Sequence, residues 1–147
     1  MHEKRTNRLL ALLFILYLAW LLRITVFRPG FSLAELGQHG VLSATPFREY
    51  YYWLRAGVYG TACYLFFGNI GVFLPFGAYL AWRRPNLRLW QVTLAGFGLS
   101  LAIEAGQYLF GTGVSDLADL ILNTLGVFLG AALLGWGRRL WRRHVVS

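Results

Sequence analysis

A handful of polar side chains interrupt otherwise apolar stretches of this chain, and their spacing sorts them onto single helical faces. Glu104 and Gln107 stand at i and i+3, with Ser100 four positions before Glu104. Asp116, Asp119 and Asn123 recur at i, i+3 and i+7, again one face of a helix. Asn69 lies alone in an earlier apolar run. Carboxylates and amides grouped in this way can accept hydrogen bonds from a polar headgroup. They can also exchange protons as an acid/base pair, or hold a hard cation through oxygen. His2, His39 and His144 are far apart, and none has ligand spacing with another His or with Cys63. No phosphate loop, dinucleotide fingerprint or GxSxG elbow is present, so neither a metal nor a cofactor is expected.

Each polar residue also has a structural role open to it. Asn69 and Asn123 suit hydrogen bonds between helices. Asp116 suits a helix N-cap, and Asp119 the first turn that follows it. Glu104 fits neither role, since it sits well inside an apolar run with no Lys or Arg beside it in sequence. It must be protonated, paired or hydrated. Arg23 is one partner for it; snorkelling to the surface is the alternative for that arginine.

The elements that carry these residues are set by composition. Of 147 residues, 57% are hydrophobic and 14% charged, against about 45–50% and about 25% in soluble chains. Four runs reach the roughly 20 apolar residues that span a bilayer, at about 9–27, 62–82, 89–110 and 117–136. The first follows a basic tail and also fits a cleavable signal peptide, but no small-x-small site comes after it, so an uncleaved span is expected. The expected fold is all-α: a single membrane domain over 1–147, with four transmembrane helices. Its one sizeable extramembrane piece is the outer loop 28–61, which contains Pro29-Gly30 and a polar stretch around Gln38-His39. Tyr50, Tyr51, Tyr52 and Trp53 in that loop suit a short helix lying along the headgroup layer.

Charge gives the orientation. The formal charge of +8 would suit nucleic acid on a wettable surface, but the basic residues border the apolar runs, and a nucleic-acid partner is excluded. Ten Lys and Arg with Glu3 fall on one side, a net +9; four Arg with five acids fall on the other, a net −1. The positive-inside rule then puts both termini in the cytoplasm, in a multi-pass protein of the inner cell membrane. At about 1.5 Å per residue, Glu104 and Asn123 lie roughly 9 Å below the outer surface and Asn69 roughly 10 Å. Three spans therefore carry polar groups at one level, facing one another or a wet pocket that opens outward. Gly126-x-x-x-Gly130 and Ala131-x-x-x-Gly135 give the last span a flat face for close approach. Pro75 is expected to kink the second span.

At these residues the sequence resembles the VanZ-like family. Three blocks carry the likeness: Asn69-x-x-x-Phe73-x-Pro75-x-Gly77, Ser100-x-x-Ile103-Glu104-x-x-Gln107, and Ser115-Asp116-x-x-Asp119-x-Ile121-x-Asn123-Thr124-x-Gly126-x-x-x-Gly130. Thr45-Pro46-Phe47 resembles the family's Pro-Phe element, so the likeness covers about two-thirds of the chain. Family members often have an Arg shortly before the first Asp and an acid between the two; here Gly113 and Ala118 hold those places. An arginine-held anion therefore does not carry over, unless Arg23 or an outer-loop Arg stands in. The resemblance implies a bacterial polytopic envelope protein linked to low-level resistance to the glycopeptide teicoplanin.

Three readings follow. The first is an envelope-modulating protein that binds a lipid or a lipid-linked envelope intermediate by its headgroup. Its pocket is formed by Asn69, Glu104, Gln107, Asp116, Asp119 and Asn123, supported by Arg23, Pro75 and Ser100. The second is a non-catalytic accessory subunit of a larger envelope-assembly complex, with a membrane-protein partner or a second copy of itself. The third, an intramembrane enzyme using the carboxylates, is the least favoured.

Overall fold

The computed structural model describes residues 2–27 and 40–145, so Arg28, Pro29-Gly30, Glu35 and Gln38-His39 lie outside the described residues. The apolar runs all fold as helices. In chain order the elements are α1 (His2–Thr25), β1 (Val41–Ser43), α2 (Arg48–Arg55), α3 (Tyr59–Arg83), α4 (Leu89–Leu109), β2 (Val114–Asp116) and α5 (Leu117–Val145). Three segments, Lys4–Thr25, Tyr59–Arg83 and Leu117–His144, are long and apolar enough to cross a membrane. The run expected as a fourth span folds as the helix α4, whose 21 residues extend about 31 Å. Gln91, Ser100, Glu104 and Gln107 dilute its apolar content, so length and composition alone do not class it with the other three.

Glycine sets how closely α3 and α5 approach. A methyl group on Gly126 would collide with the Ile70 carbonyl, and one on Gly130 with the Leu74 carbonyl. From the other side, Gly77 of α3 makes room for the Val127 backbone, and Gly96 of α4 for its side chain. Val127, fully buried, is thus seated between two glycines on two helices. Lipid supplies no hydrophobic drive for helix association, so this close van der Waals fit takes its place. Gly126-x-x-x-Gly130 is a contact face, whereas Gly135 meets open space. The second small-residue pair therefore contributes Ala131 to the core but no close approach at its glycine.

α1 lies against this pair. Phe14 stacks on Tyr79 with ring centroids 3.8 Å apart and planes 11° from parallel. The Tyr17 hydroxyl donates to the Val72 carbonyl over 2.7 Å. Much of the rest of α1, including Leu9, Leu12, Leu13, Ile15 and Leu16, is exposed, as expected of a peripheral lipid-facing helix. The chain passes through Pro75 without a break in α3, and Pro75 itself is exposed.

Two features lie in the extramembrane segment. The aromatic stretch forms the expected short helix, α2, which ends at Gly57 (φ 74°). The β1–β2 pair is new. Val41, Leu42 and Ser43 run parallel to Val114, Ser115 and Asp116, joining the loop before α2 to the loop before α5. Three-residue strands are too short to show an alternating pattern, so the sequence carries no signal for them.

Gly130→Ala should lower the unfolding temperature of the detergent-solubilised protein, by an amount equivalent to about 1–3 kcal/mol of overpacking. Gly135→Ala should stay within about 0.5 kcal/mol of the parent. Thermal unfolding followed by circular dichroism measures both.

Candidate functional site

The buried polar residues among those described are Ser100, Glu104, Gln107, Ser115, Asp116 and Asn123. All lie on α4, on β2 or in the first turns of α5, at the end of the bundle away from Arg83. α4 brings its three to that end because it stops at Gly111. There φ is 62°, and the Thr112 amide turns back to the Gln107 carbonyl over 3.1 Å while the Gly111 amide reaches Tyr108 over 3.4 Å. This paired closure, with glycine in the left-handed region, satisfies the last carbonyls of the helix.

Glu104 fastens this turn to the next helix. Its Oε2 accepts the Asp116 backbone N–H over 2.9 Å, and the Ser115 hydroxyl bonds to the same carboxylate. Asp116 in turn accepts the Ala118 N–H on Oδ1 over 2.8 Å, the N-cap arrangement at the start of α5. Glu104 thus has a partner in the protein: it binds the backbone and hydroxyl of β2, and Arg23 does not supply its counter-charge. The Arg23 guanidinium is exposed and donates to the Phe27 carbonyl beyond the end of its own helix.

Deeper in the bundle, the Asn123 Nδ2 donates to the Ser100 Oγ over 3.0 Å, joining α5 to α4. Gln107 donates from Nε2 to the Thr25 carbonyl over 3.2 Å, which ties α4 to the last residue of α1. The Oδ1 of Asn123 and the Oε1 of Gln107 are buried and, among the described residues, find no hydrogen-bond donor.

A second branch runs to the extramembrane helix. Asn69 of α3 donates to Asp119 Oδ1 over 2.5 Å, and a side-chain hydrogen bond links Asn69 to the Tyr50 hydroxyl. Tyr50 also packs edge-on against Phe66, with centroids 6.1 Å apart and planes at 89°. Burial, with the Asp119 charge adding to it, pushes the Tyr50 hydroxyl up to about 12, so it stays a neutral phenol at ordinary pH. Asp116 and Asp119 both lie within electrostatic reach of Glu104, so the branches form one acidic cluster.

Asn69, Glu104, Gln107, Asp116, Asp119, Asn123 and Ser100 therefore all sit in bonded positions at one end of the bundle. Arg23 and Pro75 do not join them, because one turns to a backbone carbonyl and the other faces outward. Arg48 lies over the Tyr52 ring and Arg55 over the Tyr51 ring, so neither outer-loop arginine within the described residues stands in for the missing family arginine. Sequence reading missed Tyr50 and Ser115 as members of the cluster. Tyr50 looks like an interfacial ring among several, and only the return of α2 onto α3 selects it. Among the described residues, no three His, Cys, Asp or Glu side chains converge as a metal-binding set.

A cavity of about 230 Å³ opens beside Glu104 and Asp116. Ser115 contributes to its wall, and Leu42, Leu101 and Leu120 make it largely apolar.

Apolar helices that bury a carboxylate-rich cluster at one end define a polytopic membrane protein. The family model of VanZ/LLP1 matches residues 14–138, and the chain belongs to that family. It is 36% identical over 67 residues to Protein VanZ of Enterococcus faecium. That match covers 46% of this chain and 42% of the relative, so less than half the length of either is shared. No solved structure matches the chain.

Glu104→Leu should destabilise the protein by about 1–3 kcal/mol, because it leaves the Asp116 N–H buried without an acceptor. Glu104→Gln keeps an acceptor oxygen and should lose less. The two unfolding temperatures in detergent, compared at one pH, give the order.

Proposed function

We propose that this is a cell-envelope protein of the teicoplanin-resistance type, acting by binding a lipid or lipid-linked headgroup at its acidic cluster. The observation that carries this reading is the cavity walled by Leu42, Leu101 and Leu120, which is apolar on its exposed face and backs onto the buried Glu104 and Asp116. An apolar tail fits along the leucines, and a headgroup that reaches the remaining acceptor sites of the two carboxylates must bring hydroxyl, amide or ammonium donors. α2 belongs to the same unit, since Tyr50 is bonded to Asn69.

In this reading α4 is the fourth span. Its polar side chains Ser100, Glu104 and Gln107 are buried, while Leu94, Phe97, Leu101 and Leu109 are exposed to the hydrocarbon. Both termini face the cytoplasm of the inner cell membrane, because Lys4, Arg5, Arg8, Arg83, Arg84, Arg88 and the basic end of α5 share one side. In this reading Glu104 and Asp116 act as hydrogen-bond acceptors, as each already does for a backbone N–H.

Teicoplanin susceptibility of a deletion strain complemented with the parent or with Glu104→Gln tests the proposal. The variant should lose the resistance gain while its membrane abundance stays normal. Full resistance at equal abundance would sink the reading.

A further inference from the structure

The opposite end of the bundle carries a second feature, independent of the proposed function and of the side this end faces. There α5 runs past the last turn of α3 with Arg138, Arg139, Arg142 and Arg143. Arg138 donates to the Ala81 carbonyl over 3.1 Å and to the Trp82 carbonyl over 3.3 Å. These are carbonyls that a helix end leaves without intrahelical partners, at the negative pole of its dipole. Arg138 is therefore engaged in pinning α5 to α3.

A cleft of about 380 Å³ lies next to it, between the beginning of α4 and α5. Leu89, Val92, Ala131, Ala132 and Gly135 give it an apolar wall, and Arg138 and Arg139 both line it. A methyl group added at Gly135 would meet nothing within 4 Å, so this glycine keeps a groove open and serves no helix contact. The groove lies at the level of exposed Trp90, Trp136 and Trp141, a residue type that prefers the boundary between headgroups and hydrocarbon.

The charge at this end is strongly positive. Arg83, Arg84, Arg88 and the four arginines of α5 gather here, and Glu3 is the one acid that α1 brings to this side. Arg139 is exposed and, among the described residues, makes no hydrogen bond or ion pair. An exposed guanidinium with no protein partner among the described residues thus lines a cleft with an apolar wall, close to the exposed tryptophans. A soluble phosphate would leave that groove empty; a phospholipid fills both parts.

We propose that the cleft over Gly135 binds an anionic phospholipid, its phosphodiester against Arg139 and an acyl chain along Ala132 and Gly135 towards Val92. A zwitterionic lipid would bring its own cation into the arginine cluster and should bind more weakly. Native mass spectrometry of the full chain in detergent tests this, with palmitoyl-oleoyl phosphatidylglycerol or phosphatidylcholine added at equal concentration. The phosphatidylglycerol adduct should be retained several-fold better than the phosphatidylcholine adduct. Arg139→Gln, which removes the charge, and Gly135→Leu, which fills the groove, should each reduce it severalfold, while Arg5→Gln on the N-terminal tail should not. Arg139 is exposed, so its variant remains a sound test even if Gly135→Leu fails to fold. Equal retention of the two lipids, an undiminished adduct in Arg139→Gln, or an equal loss in Arg5→Gln would overturn the proposal.

Discussion

A polar side chain buried away from water has to find its hydrogen-bond partners within the protein. Glu104 shows what that requirement builds. Its carboxylate collects the Asp116 N–H and the Ser115 hydroxyl, and this fixes the loop between α4 and α5. With the loop fixed, Asp116 caps α5 and Ser43 of β1 pairs alongside it. The same rule joins Asn123 to Ser100, Gln107 to the end of α1, and Asp119 to Asn69. One end of the bundle is therefore held by polar bonds among α1, α3, α4 and α5, and α2 is tied in through Tyr50.

The rest of the bundle is held differently. Between α3 and α5 the glycines at 77, 126 and 130 let backbones touch, and Val127 fills the space that remains. This packing carries no polar information, yet it determines that Asn69 and Asp119, on different helices, come to the same level. The basic end works by charge instead. Arg138 neutralises the carbonyl end of α3, and the arginines around it are left for solvent or lipid.

Much of this was legible in the sequence, for identifiable reasons. Periodicity placed Ser100, Glu104 and Gln107 on one face and Asp116, Asp119 and Asn123 on another, because helical faces are fixed by 3.6-residue geometry. Helical rise alone placed Asn69 at their level. Asp116 could be read as a cap from its place before an apolar run. Pairings between elements were not legible. Arg23 was open to pairing with Glu104 or to snorkelling, and only the fold shows it exposed and donating to a backbone carbonyl four residues away. The β1–β2 pair joins segments more than 70 residues apart over three residues each, too short to leave a pattern. The equal-looking glycines at 130 and 135 differ only in what faces them, which no single sequence records.

The central claim is that polar groups on separate helices are bonded to each other and are not independently solvated. A double-mutant cycle on Asn69 and Asp119 tests it most directly, using Asn69→Ala, Asp119→Ala and the double variant, each unfolded in the same detergent. The bond predicts that the double variant loses less stability than the two single losses combined, with a coupling of about 0.5–1.5 kcal/mol. Strictly additive losses would mean that the two side chains do not meet, and would contradict the account.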